Sequence, residues 1–338
     1  MRNVKLRFNA PVAQPFPPAL ALKAGELRRG SPKRRRREGG RAAARHVGRP
    51  EGLRYQRPRA SIALVFLVLS LSRPAAAQQR PLVTEDPEPI GSGRILLEGG
   101  FDLAHDYQNP VSGLKGNLFT LPTIGISVGL SSIAEFQIDG GIYNRLSITS
   151  RNPNAPLASL LTVTGDTTHD VSNAVVATKI RLLGETASRP AFALRFATKL
   201  PNASNEKGID LDTTDFSGSL LLGKTVQSIR IVVNVGGGIL TNPATTLGQN
   251  DVLLYGVSFA RAVTQQAELV GELNGRFSTR SAGAPVGTES RGILKLGARY
   301  TRGAVRLDAG LSFGTTTLDP TIALTAGATY VFSAFTVP

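Results

Sequence analysis

Two His-Asp dipeptides, His105-Asp106 and His169-Asp170, are the residues in this chain best suited to proton transfer. A histidine beside a carboxylate can serve as a general base. A hydrolytic centre also needs a nucleophile or activated water, and donors for the developing oxyanion. No serine stands in a recognisable nucleophile elbow. Cysteine is absent, which removes thiolate nucleophiles and thiolate metal sites. The stretch NASNEKGIDLD (Asn202–Asp212) is rich in oxygen ligands, but its spacing is not that of the twelve-residue calcium loop. Gly236-Gly237-Gly238 leads to Thr241-Asn242-Pro243 rather than to a helix, so it is not a phosphate loop. The expectation is a non-enzyme with no catalytic residues, no cofactor and no metal site, its two histidines solvated at a rim. A rim-active hydrolase is the less favoured reading of the same residues.

The other charged residues follow a different rule, visible in QAELVGELNGRF (Gln266–Phe277). Glu268, Glu272, Asn274 and Arg276 share one parity, whereas Leu269, Gly271, Leu273, Gly275 and Phe277 share the other. On a helix this pattern scatters charge around the cylinder; on a strand it makes one ionic face and one apolar face. Twelve such segments are expected: 93–105, 116–130, 133–145, 170–183, 190–200, 213–225, 229–240, 250–262, 265–278, 289–301, 304–314 and 321–332. Most are longer than the five or six residues usual in globular strands and match the roughly 9–11 needed to cross a bilayer at a tilt. The connections alternate between short ones, such as Val263-Thr264 and Arg302-Gly303, and longer ones at 106–115, 146–169, 201–212, 241–249 and 279–288. Short turns at one end and long loops at the other predict an all-β fold: an antiparallel up-and-down transmembrane β-barrel of about 12 strands.

Energy assigns the faces. An Arg or Lys facing lipid at mid-membrane costs roughly 2–4 kcal/mol. The segment 289–301 carries Arg291, Lys295 and Arg299 on one side, so its other face must meet lipid, and a one-residue slip is forbidden. The same phase puts Arg94, Glu98, Asp102, Glu135, Asp139, Lys179, Arg181, Arg195, Lys199, Asp215, Arg230, Glu268, Glu272, Arg276, Arg306 and Asp308 in the lumen with those three. Acidic residues dominate the first, third and ninth segments, and basic ones the fourth, fifth and tenth. Such a distribution either sets up a transverse field across a narrow pore or pairs across the lumen and closes it. Barrels of about eight strands are filled and those of 16–18 are open, so twelve strands do not decide between the two.

Net charge misleads unless it is localised. Residues 1–60 carry 17 Lys or Arg against three Asp or Glu, whereas residues 78–338 carry 21 of each. The body is neutral, which argues against a nucleic-acid partner. The basic extension, residues 1–60, is expected to be disordered or to lie upstream of the true start codon. Residues 61–77 read as a signal peptide. Arg57 and Arg59 precede the apolar run Ile62–Leu71, and Pro74-Ala75-Ala76-Ala77 offers cleavage after Ala77. Ten apolar residues fall short of the roughly 20 of a membrane-spanning helix. Residues 78–92, with Thr84-Glu85-Asp86-Pro87-Glu88-Pro89, are expected as a periplasmic lead, more often a tether than a plug. Residues 93–332 are the barrel and 333–338 a tail.

Three stretches carry a family likeness: LVTEDPEPIGSGRILLEGG (Leu82–Gly100), KLPNASNEKGIDLDTTDFSGSLLLGK (Lys199–Lys224) and GVSFARAVTQQAELVGELNGR (Gly256–Arg276). The chain resembles the bacterial outer-membrane, transporter-like proteins grouped under the MetA pathway of phenol degradation. That resemblance implies an outer-membrane barrel for uptake of small, often aromatic or apolar, compounds, and it supplies no binding residues. One departure is the end of the chain. Outer-membrane strands commonly finish on an aromatic residue, whereas here Tyr330-Val331-Phe332 is followed by Ser333–Pro338. The expected function is a passive, porin-like channel in the outer membrane of a Gram-negative envelope. Its expected partners are membrane lipid, a small-molecule solute and the barrel-assembly machinery. A structural or interaction barrel with a salt-bridged, closed lumen is the alternative, and a soluble secreted β-protein the remaining rival.

Overall fold

Strands occupy most of the residues that the computed structural model describes, namely 80–245, 248–280 and 283–336, all within the unit Pro58–Pro338. The basic extension and the expected signal peptide lie outside the described residues. The strands are β1 (Arg94–Asn109), β2 (Leu114–Gly129), β3 (Ala134–Gly141), β4 (Asn144–Arg151), β5 (Thr167–Asp170), β6 (Val175–Leu183), β7 (Ala191–Lys199), β8 (Asp215–Val226), β9 (Ile229–Thr241), β10 (Gln249–Ala262), β11 (Ala267–Ser278), β12 (Arg291–Arg302), β13 (Val305–Gly314) and β14 (Ile322–Ser333). All pairings are antiparallel. β1 pairs with β2 on one side and with β14 on the other, so the sheet closes. The ring runs β1, β2, β3, β6 and onward to β14, twelve strands in all.

β4 and β5 are continuations rather than additional staves. The first half of β2 (Leu114–Thr120) pairs with β4, and its second half (Thr123–Gly129) with β3. The interruption at Ile142-Tyr143 lies opposite Leu121-Pro122, and Pro122 offers no N–H to a ladder. β5 likewise precedes β6 in line and pairs with β4. The third and fourth expected segments are therefore each broken in two, and the connection expected over 146–169 shortens to 152–166.

The connection expected over 106–115 is corrected more sharply, since only residues 110–113 separate β1 from β2. The ladder shifts register between Ala104 and Tyr107, where Asp106 has φ +60°. A bulge of this kind adds a residue and reverses which side chains face inward. Arg94, Glu98 and Asp102 face the lumen below it, and Tyr107 and Asn109 above it. The alternation of the sequence ends there although the strand continues.

The outer wall is apolar. Leu97, Phe196, Leu220, Val257, Leu269, Leu296 and Leu307 are all at least 40% exposed and belong to one girdle around the barrel. A surface of this kind meets lipid, where closed sheets alone among β-structures leave no backbone group unpaired. Leu307→Arg, at a position 54% exposed, is expected to cost about 2–4 kcal/mol. Urea titration of folding into lipid vesicles measures it; a variant as stable as the parent would place Leu307 outside the membrane.

Candidate functional site: a strap inside the barrel

Residues 80–92, expected in the periplasm as a tether, instead run inside the barrel. The physical reason lies in their backbone. Pro81, Pro87 and Pro89 cannot donate to a ladder, so the segment joins no sheet, yet its buried N–H and C=O groups need partners. Inward side chains of the wall supply them. Val83 N–H donates to Glu272 Oε1 at 2.9 Å and Thr84 N–H to Glu272 Oε2 at 2.8 Å. Glu85 N–H donates to Asn234 Oδ1 at 2.8 Å, and Ile90 N–H to Glu135 Oε2 at 2.7 Å. In the other sense, Arg299 Nε donates to Arg80 O, and Lys295 Nζ to Pro81 O, both at 2.7 Å. Lys179 Nζ donates to Asp86 O at 2.8 Å.

These partners trace a circuit of the wall. Arg80 lies against β14 and β2, donating to Thr325 and Thr123 side chains and to Ala326 O. The strap then passes β12 and β11, reaches β9 at Glu85, and returns to β3 at Ile90. Inward glycines make room for it. A Cβ at Gly100 would come within 2.3 Å of Arg80, and one at Gly223 within 2.7 Å of Pro87.

Ion pairs fix the strap's polarity. Lys179 Nζ, on a side chain with no solvent exposure, sits 3.2 Å from Glu85 Oε2 and 3.0 Å from Glu135 Oε1. Arg195 lies 3.1 Å from Glu85 and 3.8 Å from Asp139. Arg230 bridges Asp86 at 2.7 Å and Glu185 at 2.5 Å, and Arg181 pairs with Glu88. Glu185 belongs to the turn after β6. Burial raises its pKa, but the Thr225 N–H and the Arg230 guanidinium outweigh burial and hold the carboxyl below its usual range. At the strap's other end the sign reverses: Arg80 lies 3.5 Å from Asp308, and its N–H faces Glu98. Several other inward charges pair away from the strap. Lys199 meets Asp215 at 2.7 Å, Glu268 lies 4.0 and 3.9 Å from Arg299 and Arg306, and Arg291 lies 3.9 Å from Asp319. Arg276 donates to Glu289 O and Gly287 O, and Arg94 to Ile90 O. Asp102 faces the lumen by register, opposite Thr325.

The outer mouth is narrowed by the connection between β7 and β8. Tyr107 Oη and Asn109 Nδ2 donate to Ile209 O, and Ile209 packs with Leu114 and Leu146 in a buried apolar cluster. Asn205 and Asp210, in the stretch rich in oxygen ligands, accept from backbone N–H groups of Asp212, Asn173 and Leu211. Sequence reasoning missed Tyr107, Asn234 and the inward apolar residues Leu221, Val232, Val252 and Val270, each of the last four under 5% exposed. Their signal was faint: runs such as Leu220-Leu221-Leu222 and Ile231-Val232-Val233 are apolar on both faces, the mark of a strand covered on both sides.

The two histidines face outward and apart from the strap. His105 Nδ1 shares a hydrogen bond of 2.8 Å with Asn117 Oδ1, and its Nε2 lies 4.0 Å from Asp106. His169 stacks on Tyr143 at 6.1 Å between ring centroids. No serine hydroxyl hydrogen-bonds to either ring among the described residues, and no group of three or more His, Asp or Glu there could hold a metal ion.

No protein-family model and no curated protein sequence matches the chain. Among solved structures, an outer-membrane channel from Pseudomonas putida F1 is similar with a TM-score of 0.51 and 11% identity, over 73% of this chain and 98% of that one. The NanC porin gives 0.43 and 7%, over 70% and 98%. The translocator domain of autotransporter NalP from Neisseria meningitidis gives 0.42 and 15%, over 72% and 89%. The first of these is a likeness of fold. With a closed wall, an apolar girdle and an ionic interior, the chain is a β-barrel of the outer membrane.

Proposed function

We propose that this outer-membrane β-barrel is a narrow channel for passive uptake of small solutes, aromatic or apolar compounds among them, with its bore set by its own N-terminal strap. One observation carries the reading: hydrogen bonds and ion pairs hold the strap, and the wall glycines that accommodate it leave a track rather than a sealed apolar core. A cavity of about 450 Å³ lies beside Val83 and Thr84 toward the long loops, and one of about 320 Å³ beside Leu82 and Asp86 toward the short turns. Polar fastenings exchange with water at little net cost, so a strap held this way can shift where a hydrophobic plug would stay. Membrane lipid and the barrel-assembly machinery are the partners such a barrel requires.

Purified protein reconstituted in a planar bilayer is expected to pass a small, discrete ion current. Absence of current from protein that migrates heat-modifiably on a gel would overturn the reading. It would leave the closed structural barrel, which the burial of Lys179 and Glu135 favours. The channel reading gives the histidines no part in catalysis. His105→Ala is expected to leave the current unchanged, and an ester-hydrolysis assay on the parent protein to stay at background.

A further inference from the structure

We infer that the lumen between the strap and the long loops holds a binding site for a small organic anion, a monocarboxylate with an aromatic or short aliphatic body, at Arg276 and Arg291. The inference rests on the channel reading for its use and names the class of solute.

The first argument is charge. Arg276 and Arg291 stand directly opposite each other in the β11–β12 register. Like charges in that position repel. Their guanidinium groups are held by backbone carbonyls: Arg276 by Glu289 O and Gly287 O, both at 2.9 Å, and Arg291 by Leu318 O at 2.6 Å. Carbonyls orient a guanidinium but bring no negative charge. Among the described residues no carboxylate lies within ion-pair distance of Arg276. Arg291 has Asp319 at 3.9 Å, whose other oxygen is taken up by Gly292 N–H and by the N–H and hydroxyl of Thr316. Arg195, at the same cavity, is matched by Glu85. The two opposed guanidiniums are the under-compensated pair.

The second argument is the cavity they face. Its volume, about 450 Å³, lies within the roughly 300–1,000 Å³ typical of small-molecule sites. Leu221, Leu254 and Ile293 give it an apolar side. Two polar atoms at it are buried without a hydrogen-bond partner among the described residues: Asn274 Nδ2, and Oγ1 of Thr84, a residue only 7% exposed. A planar carboxylate suits a guanidinium fork in two-point contact, Asn274 supplies a further donor, and the apolar side takes the body of the anion.

The test is calorimetric titration of the full chain in detergent with benzoate, benzamide and inorganic phosphate. Benzoate is expected to bind, and benzamide and phosphate each to bind roughly tenfold or more weakly. Arg276→Gln with Arg291→Gln should abolish the preference for benzoate, whereas Arg276→Lys, which keeps the charge but not the fork, should bind benzoate more weakly than the parent and still prefer it to benzamide. Heat-modifiable migration checks that each variant has folded. Equal binding of benzoate and benzamide, equal binding of phosphate, or an unchanged preference in the double variant overturns the site. The failures separate cleanly. Current without a benzoate preference removes the site and keeps the channel; a benzoate preference without current does the reverse.

Discussion

Tying the strap to the wall should lower conductance, and cutting its ion pairs should raise it several-fold. The chain has no cysteine, so a single engineered pair can act alone. Thr84 Cβ lies 3.6 Å from where a Cβ on Gly256 would stand, within the roughly 3.5–4.5 Å of a disulfide. Oxidised Thr84→Cys/Gly256→Cys protein is expected to conduct less than the parent, and reductant to restore the current. The opposite variant is Glu85→Gln/Asp86→Asn/Glu88→Gln, which deprives Lys179, Arg195, Arg230 and Arg181 of their partners on the strap. Losing one partner of a buried pair costs about 3–5 kcal/mol, and a part-exposed pair much less. Lys179 keeps Glu135 and Arg230 keeps Glu185 in this variant, so the loss falls below that full cost; about 1.4 kcal/mol, a tenfold change in an equilibrium, is enough to shift the docked strap toward the free one. Single-channel recordings in planar bilayers decide the matter. Identical conductance in the oxidised, reduced and charge-neutral proteins would mean that the strap does not set the bore.

The wall was legible in the sequence because a single large penalty governs it. Turning β12 over would present Arg291, Lys295 and Arg299 to lipid together, so the phase of that strand has one solution. Register then fixes its neighbours, as in Glu272 opposite Lys295 and Glu268 opposite Arg299. The strap was not legible for the converse reason. Thr84–Pro89 has no period, since it pairs with no strand, and its contacts are remote in the chain: Arg80 reaches Thr325, 245 residues away. What the sequence did contain was complementarity. Glu85, Asp86 and Glu88 form one acidic cluster, and the basic inward residues of β6, β7 and β9 form its mate. Placing the acidic run outside the barrel as a tether, and the bases inside it, concealed the match. The bulge at Asp106 was hidden differently. One residue with positive φ reverses the alternation, so Tyr107 and Asn109 looked like loop residues although they face the lumen and hold the β7–β8 connection over it.

The buried Lys179 is where fold and function bear on the same atoms. Lys179 and Glu135 are cross-strand partners on β6 and β3, and Glu85 of the strap completes the cluster. Lys179→Ala leaves Glu135, on a side chain 1% exposed, and Glu85, 7% exposed, without their shared cation. The expected loss is about 3–5 kcal/mol, read as a lower urea midpoint for unfolding from vesicles. Exchanging the cluster for neutral groups, Lys179→Met with Glu135→Gln and Glu85→Gln, should recover much of it, because the cost is that of stranded charge rather than of a lost bond. A triple variant no more stable than Lys179→Ala would refute that account. Conductance then adds what stability cannot. Lys179 also donates to Asp86 O, so the alanine variant frees the strap at its midpoint as well as stranding the acids. In a channel, the less stable Lys179→Ala protein carries more current than its parent. In a sealed barrel it merely unfolds more readily, and the bilayer stays silent until it does.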